Sequence, residues 1–216
     1  MALIFPKQLD AIVRSIIPLI GLGVLAGIGG AFYITQPDVL EPGYQPEQPV
    51  PYSHKLHAGN LGMDCLYCHN TVDKSSFAAV PSTQTCMNCH GQVKKESEAL
   101  RPVRESFQSG NPVEWVKIHK LPDYVYFNHK AHVTVGVSCV SCHGRIDQMV
   151  EVKQVANLSM SWCLECHRNP APNVRPVELV TKLDWKPEGR DAVDIGRELV
   201  AQKHINPPTN CSGCHR

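Results

Sequence analysis

Five copies of the pattern Cys-x-x-Cys-His constrain this 216-residue chain more than any other feature, because together they consume all ten of its cysteines. They are Cys65, Cys68 and His69; Cys86, Cys89 and His90; Cys139, Cys142 and His143; Cys163, Cys166 and His167; and Cys211, Cys214 and His215. No cysteine is left for a structural disulfide. Two cysteines three residues apart fit on one helical turn, where each can form a thioether to a vinyl group of haem, and the adjoining histidine falls under the iron as its proximal ligand. Zinc sites also use Cys-x-x-Cys pairs, but they give no reason for a histidine after every second cysteine. A thioredoxin-like redox motif would occur once, beside a β-α-β pattern that this sequence lacks. The motifs therefore predict five covalently bound haem c groups.

The remaining composition points the same way. Outside the N-terminal stretch and the cysteines, apolar residues make up only about a third of the chain. That is a thin core for so long a soluble domain, and it predicts a mainly α and irregular fold, a multihaem cytochrome c with a haem-filled core. A formal net charge of +1 excludes a generic polyanion binder, so no nucleic-acid partner is expected.

Residues 15–35, SIIPLIGLGVLAGIGGAFYIT, carry no charge. At about 1.5 Å per residue they cross a hydrocarbon layer of roughly 30 Å, whereas the apolar region of a cleaved secretory signal has only about 7 to 15 residues. The expectation is one N-terminal transmembrane helix. Lys7 and Arg14 precede it and Asp38, Glu41 and Glu47 follow. Residues 1–14 are then cytoplasmic and the bulk of the chain lies on the periplasmic face of the inner membrane. Residues 36–51, with prolines at 37, 42, 46, 49 and 51, read as an extended Pro-rich stalk. Residues 52–216 form the haem domain, with modules at 52–91, 126–170 and 204–216.

The first two modules are an internal repeat. Tyr52-Ser53-His54-Lys55-Leu56-His57 leads through Gly62 to Cys65, and Phe127-Asn128-His129-Lys130-Ala131-His132 leads through Gly136 to Cys139. Each leader serves two motifs. Between the modules Gln92 to Gln108 reads as helical with Pro102 as an interruption, and Asp191 to Lys203 reads as a helix whose apolar face is Val193, Leu199 and Val200.

Six histidines remain for five distal places: His54, His57, His119, His129, His132 and His204. Histidines at i and i+3 on one turn point the same way, while two axial ligands approach an iron from opposite faces. His54 and His57 therefore serve different irons, as do His129 and His132, and two haems must lie close to each leader. If two of the six are not ligands, Met149 and Met160 are the candidates, with core packing as their alternative role.

The aromatic-x-His-Lys-x-His leader followed by Cys-x-x-Cys-His resembles the cytochrome c3 and c7 class. The stretches Pro81-Ser82-Thr83-Gln84-Thr85 before Cys86 and Leu158-Ser159-Met160-Ser161-Trp162 before Cys163 narrow the likeness. With five motifs and an anchor, nearly the whole chain is similar to the pentahaem subunits of alternative complex III, a bacterial quinol:cytochrome c oxidoreductase. The stalk and residues 171–205 carry little of that resemblance. In the c3 and c7 class the first leader histidine closes the haem of the next motif and the second closes another. Carried over, His54 serves the haem at Cys65 and His129 that at Cys139, with His57 and His132 bridging elsewhere. The resemblance further implies a polytopic quinol-binding membrane subunit, an iron-sulfur subunit, and a monohaem cytochrome c or oxidase as partners. It implies an electron-transfer subunit with no substrate site of its own. Two rivals stand beside it. A free-standing multihaem quinol dehydrogenase shares the topology, but such proteins usually carry four haems and lack paired leaders. A multihaem reductase needs an open iron and usually a departure from the standard motif, and no motif here departs.

Overall fold

The computed structural model describes residues 6–215 and divides the chain into two compact units, meeting at residues 40 and 41. The first unit is the helix α1 (Lys7–Ile34) followed by a single turn, α2 (Pro37–Leu40). Gln8–Ile34 is long and apolar enough to cross a membrane. Ile17, Leu19, Leu22, Leu25 and Phe32 are all 60% or more exposed, as expected of a surface made for lipid rather than for a protein core. The helix begins eight residues before the uncharged stretch at 15–35. Its first turns are held by an Asp10–Arg14 ion pair at i,i+4 spacing (3.0 Å), a local interaction that a count of uncharged residues passes over. At the other end Thr35 donates to Ala31 O through both its N–H (3.2 Å) and its Oγ1 (2.9 Å), and Gln36 Nε2 donates to Phe32 O (3.1 Å), satisfying carbonyls of the last turn.

The second unit is short helices joined by irregular chain: α3 (Cys65–Cys68), α4 (Thr83–His90), α5 (Arg101–Ser109), α6 (His129–Val135), α7 (Cys139–His143), α8 (Met160–Arg168), α9 (Ala192–Gln202) and α10 (Cys211–Cys214). Among the described residues there is no strand, only the isolated antiparallel pairings Val125 with His215 and Val137 with Val174. Five of the helices, α3, α4, α7, α8 and α10, are the motifs themselves. Polar side chains start several of them, Asp64 accepting from Leu66 N (2.9 Å), Ser159 from Trp162 N (3.3 Å) and Asn210 from Gly213 N (3.0 Å). Among the described residues the buried apolar side chains are few: Val50, Val103, Ala171, Val174, Val180 and Leu183.

Two expectations need correction. Pro102 does not interrupt a helix. It sits in the first turn of α5, where its missing N–H has no carbonyl to serve and its fixed φ suits a helix start, and the chain before it forms turns at 91–96 and a short 3-10 turn at Glu98–Leu100 rather than a helix. The proline-rich segment is extended from residue 44 onward, but it is no free spacer. Gly43 N donates to Gln154 O (2.8 Å), Gln154 N to Tyr44 O (3.0 Å), and the Gln48 side chain brackets Val116 with two bonds (2.9 and 3.0 Å). The helix read at 191–203 is α9, begun by Asp191 accepting from Val193 N (2.7 Å). Val193, Leu199 and Val200 are half-buried, and Gly196 lies so close to Ala171 that any side chain there would meet its carbonyl.

Candidate haem sites

The two leaders repeat in space as they do in sequence. Tyr52 stands edge-on to His54 (centroids 4.9 Å, 86° between planes) and stacks on His57 (4.4 Å, 21°). Phe127 stands edge-on to His129 (4.7 Å, 87°) and stacks on His132 (4.8 Å, 27°). The first leader continues as a wide helical turn at Lys55–Asn60 and the second as α6. In each, the aromatic wall turns the two imidazoles in different directions.

Three leader histidines face motif histidines across a nearly constant gap. His54 faces His69 at 6.4 Å with planes 4° apart, His57 faces His90 at 6.2 Å, and His132 faces His167 at 6.1 Å. Two metal–nitrogen bonds of about 2.0 Å, with roughly 1.1 Å from ring centre to Nε2 on each side, put coaxial imidazole centroids about 6.2 Å apart. The three gaps match the centroid spacing expected of two imidazoles that share one iron.

Hydrogen bonding prepares the same atoms. Nδ1 lies against a backbone carbonyl in His57 (Ser53, 2.9 Å), His69 (Ala79, 3.1 Å), His90 (Val93, 2.9 Å), His129 (Ser76, 2.9 Å), His132 (Asn128, 2.8 Å) and His167 (Pro208, 2.7 Å). A carbonyl only accepts, so Nδ1 carries the hydrogen and Nε2 keeps its lone pair for a metal. Burial pushes His54 down to about 4, with His69 and His57 adding to the effect, and His143 down to about 3, with His119 and His129 adding. These rings are held neutral, the form that ligates.

His119 lies 4.3 Å from His143 with planes 77° apart, closer than a ligand pair, and its Nε2 is buried without a partner. An unpaired buried nitrogen costs about 1–3 kcal/mol, which a metal bond would remove. His215 is fixed by the main chain, through its pairing with Val125 and the bond from Tyr126 N to Cys214 O (2.7 Å), with the Tyr124 ring 5.8 Å away. His204 is exposed with φ 51°, and among the described residues its ring meets no other ring. Met160 is 64% exposed at the start of α8, and Met149 is half-buried, its carbonyl accepting from Lys55 N (2.9 Å).

No two of the ten cysteines are joined in a disulfide. Burial pushes Cys65 up to about 11, with Cys139 the next influence, and Cys142 up to about 12, with Cys166 and Cys163 next. Cys68 is raised by burial and then by Cys86 and Cys89, and Cys163 by burial and then by Cys214.

Several supporting residues escape the motif pattern. Ser138, 1% exposed, donates through Oγ to Val180 O (2.7 Å), and Thr181 Oγ1 donates to Asp64 Oδ2 (3.0 Å). Asp64 and Ser138 each directly precede a motif, a position that signals a helix start, but nothing local points to their partners at 180 and 181.

The model of the class III cytochrome c family matches residues 31–120 and again 103–216. The chain is also similar to the multiheme cytochrome c subunit of menaquinone reductase from Nitratidesulfovibrio vulgaris, with 42% identity over 100 residues, 46% of this chain and 47% of that protein. It thus spans about half the length of that curated relative.

Proposed function

The chain belongs to the class III cytochrome c family, and from that premise we propose that it is a membrane-anchored pentahaem electron carrier, a subunit of a quinol-oxidising respiratory or photosynthetic complex of the alternative complex III kind. Haem c, when bound, supplies reversible one-electron chemistry. The chain's own residues do the rest. Cys65 and Cys68, Cys86 and Cys89, Cys139 and Cys142, Cys163 and Cys166, and Cys211 and Cys214 tether the groups, and His69, His90, His143, His167 and His215 are the proximal ligands. On the distal side His54 works with His69, His57 with His90, His132 with His167, and His129 with His143 as the repeat requires. His119 is the fifth distal candidate, and His204, Met149 and Met160 are the reserve for an iron left open.

The observation that carries this reading is the set of facing imidazoles 6.1 to 6.4 Å apart. A site closed on both faces has no place for a substrate and suits a carrier rather than a reductase. The membrane helix holds the haem domain at the periplasmic surface, beside a polytopic quinol-binding subunit, an iron-sulfur subunit, and a monohaem cytochrome or oxidase that accepts the electrons. The relative named as a menaquinone reductase subunit supports a quinone-linked complex. It also favours a second reading, with electrons flowing toward menaquinone.

Carbon monoxide added to the reduced, purified protein tests the carrier reading. The expected spectrum changes little, with five haems per chain in alkaline pyridine. Extensive carbon monoxide binding, or fewer than five haems, refutes it. Reconstitution with the co-purifying subunits, supplied first with quinol and then with a reduced cytochrome, decides the direction.

A further inference from the structure

We propose that the five haem attachment sites form one unbranched row whose order in space is Cys86, Cys65, Cys139, Cys163, Cys211. The second motif of the sequence, not the first, then ends the row opposite the C-terminal motif. This rests on the five-haem reading above and goes beyond it, since motif spacing along the chain does not say which sites are neighbours.

Each step of the row has its own contact. The sites at Cys86 and Cys65 are joined inside the motifs themselves, Asn88 Nδ2 donating to the Tyr67 hydroxyl (3.2 Å). They also share one leader, with His54 facing His69 and His57 facing His90. α4 also lies against α5, whose Ser106 Oγ donates to Thr83 Oγ1 (3.4 Å). The sites at Cys65 and Cys139 are clamped start to start by two consecutive residues. Val180 O accepts from Ser138, just before Cys139, while Thr181 bonds Asp64, just before Cys65, and its carbonyl lies 4.0 Å from the Cys65 sulfur. The modules interlock there as well, with His129 N and Lys130 N donating to Ser76 O (3.2 Å) and Ser75 O (3.1 Å) in the loop after the first motif.

The second leader runs straight into the site at Cys139, and its His132 faces His167 of the site at Cys163. The chain after α8 returns to the start of the third motif, Arg175 N donating to Gly136 O (2.9 Å) beside the Val137–Val174 pairing. The sites at Cys163 and Cys211 meet where His167 Nδ1 donates to Pro208 O (2.7 Å), and Pro208 in turn packs against Gly213 inside the last motif. Exposure follows the row, since Cys89 and Cys211, in the two end sites, are the two exposed cysteines and the other eight are half-buried.

The ends of such a row are where partner proteins must approach, one at the site of Cys86 and Cys89 and the other at the site of Cys211 and Cys214. Anomalous scattering at the iron edge, from crystals of the full holo chain, tests the order directly by placing every iron beside its motif histidine. The expected result is five irons in which those of His90 and His215 each have one near neighbour, those of His69 and His167 respectively. The irons of His69, His143 and His167 should each have two. Five irons in sequence order, with the iron of His69 at an end, overturn the row and leave the carrier reading standing. Five irons with a branch at any site do the same. Fewer than five irons overturn both.

Discussion

Gly62 and Gly136 hold the same place in the two leaders, yet the structure makes very different demands on them. Both have a positive φ, 68° and 103°, a region that costs a residue with a Cβ about 1–2 kcal/mol. Around Gly62 nothing lies within 4 Å of the position a Cβ would take, so Gly62→Ala should cost little beyond that strain. At Gly136 the same Cβ would fall on the carbonyl oxygen of Arg175, a backbone atom that cannot swing aside. Relief requires moving residues 174 and 175 away, which breaks the bond from Arg175 N to Gly136 O (2.9 Å) and the Val137–Val174 pairing, and opens Val174, now 3% exposed. At about 1 kcal/mol for each lost bond, with some loss of apolar burial, the total for Gly136→Ala comes to about 3–5 kcal/mol. At about 2–4 °C per kcal/mol for a chain of this size, Gly136→Ala should melt roughly 6–20 °C below the parent and Gly62→Ala roughly 2–8 °C below. Thermal unfolding of the detergent-solubilised holo protein, followed in the haem absorbance band, measures both. Equal losses in the two variants would refute the argument, because only the Arg175 contact separates them.

Replacing His57 by Ala should open the haem at Cys86 and leave that at Cys65 closed, since His57 faces His90. A high-spin electron paramagnetic resonance signal is expected, and it should vanish when Cys86 and Cys89 are also replaced; persistence would show that a different haem had lost its ligand. Ser138→Ala leaves Val180 O unpaired at a site only 1% exposed, and should cost about 1–3 kcal/mol in denaturant titration. The pH dependence follows from His54 and His143, which burial, with neighbouring histidines adding, holds at about 4 and about 3, below the roughly 6.5 of an unfolded histidine, and which a bond to iron would keep unprotonated in the same direction. Between these values the unfolded chain binds protons that the folded chain refuses. Stability is therefore highest above pH 6.5 and falls as the pH drops toward 4 and below. Denaturation midpoints that rise on acidification would contradict it.

Much of the local structure is readable from single residues. Each Cys-x-x-Cys pair occupies a helical turn, a spacing that one turn accommodates, and Asp64, Ser159 and Asn210 start such turns with the short polar side chains that do so in general. The helix at Ala192–Gln202 follows from Asp191 and an apolar face of helical period. Where two local rules compete, the tertiary structure decides. Proline can interrupt a helix or begin one, and at Pro102 the position within the turn decided. A run of prolines can be a free spacer or an extended strap, and at residues 41–51 hydrogen bonds from Gln154 and Gln48, side chains and backbone alike, decided.

The cysteines and histidines by themselves determined the chemistry of this chain. Covalent haem attachment needs particular atoms at fixed short spacing, and short spacing is written in the sequence. The apolar run before residue 35 likewise determined a helix suited to a membrane, through length and hydropathy alone. Which site lies beside which was decided only in three dimensions. The link between the first and third motifs runs from Asp64 to Thr181, 117 residues away, and from Ser138 to Val180, 42 residues away. Residues 171–205, which supply those partners, carry no motif. Their contribution is the carbonyls and hydroxyls they present at one place, and that depends on how the whole unit packs rather than on any local pattern.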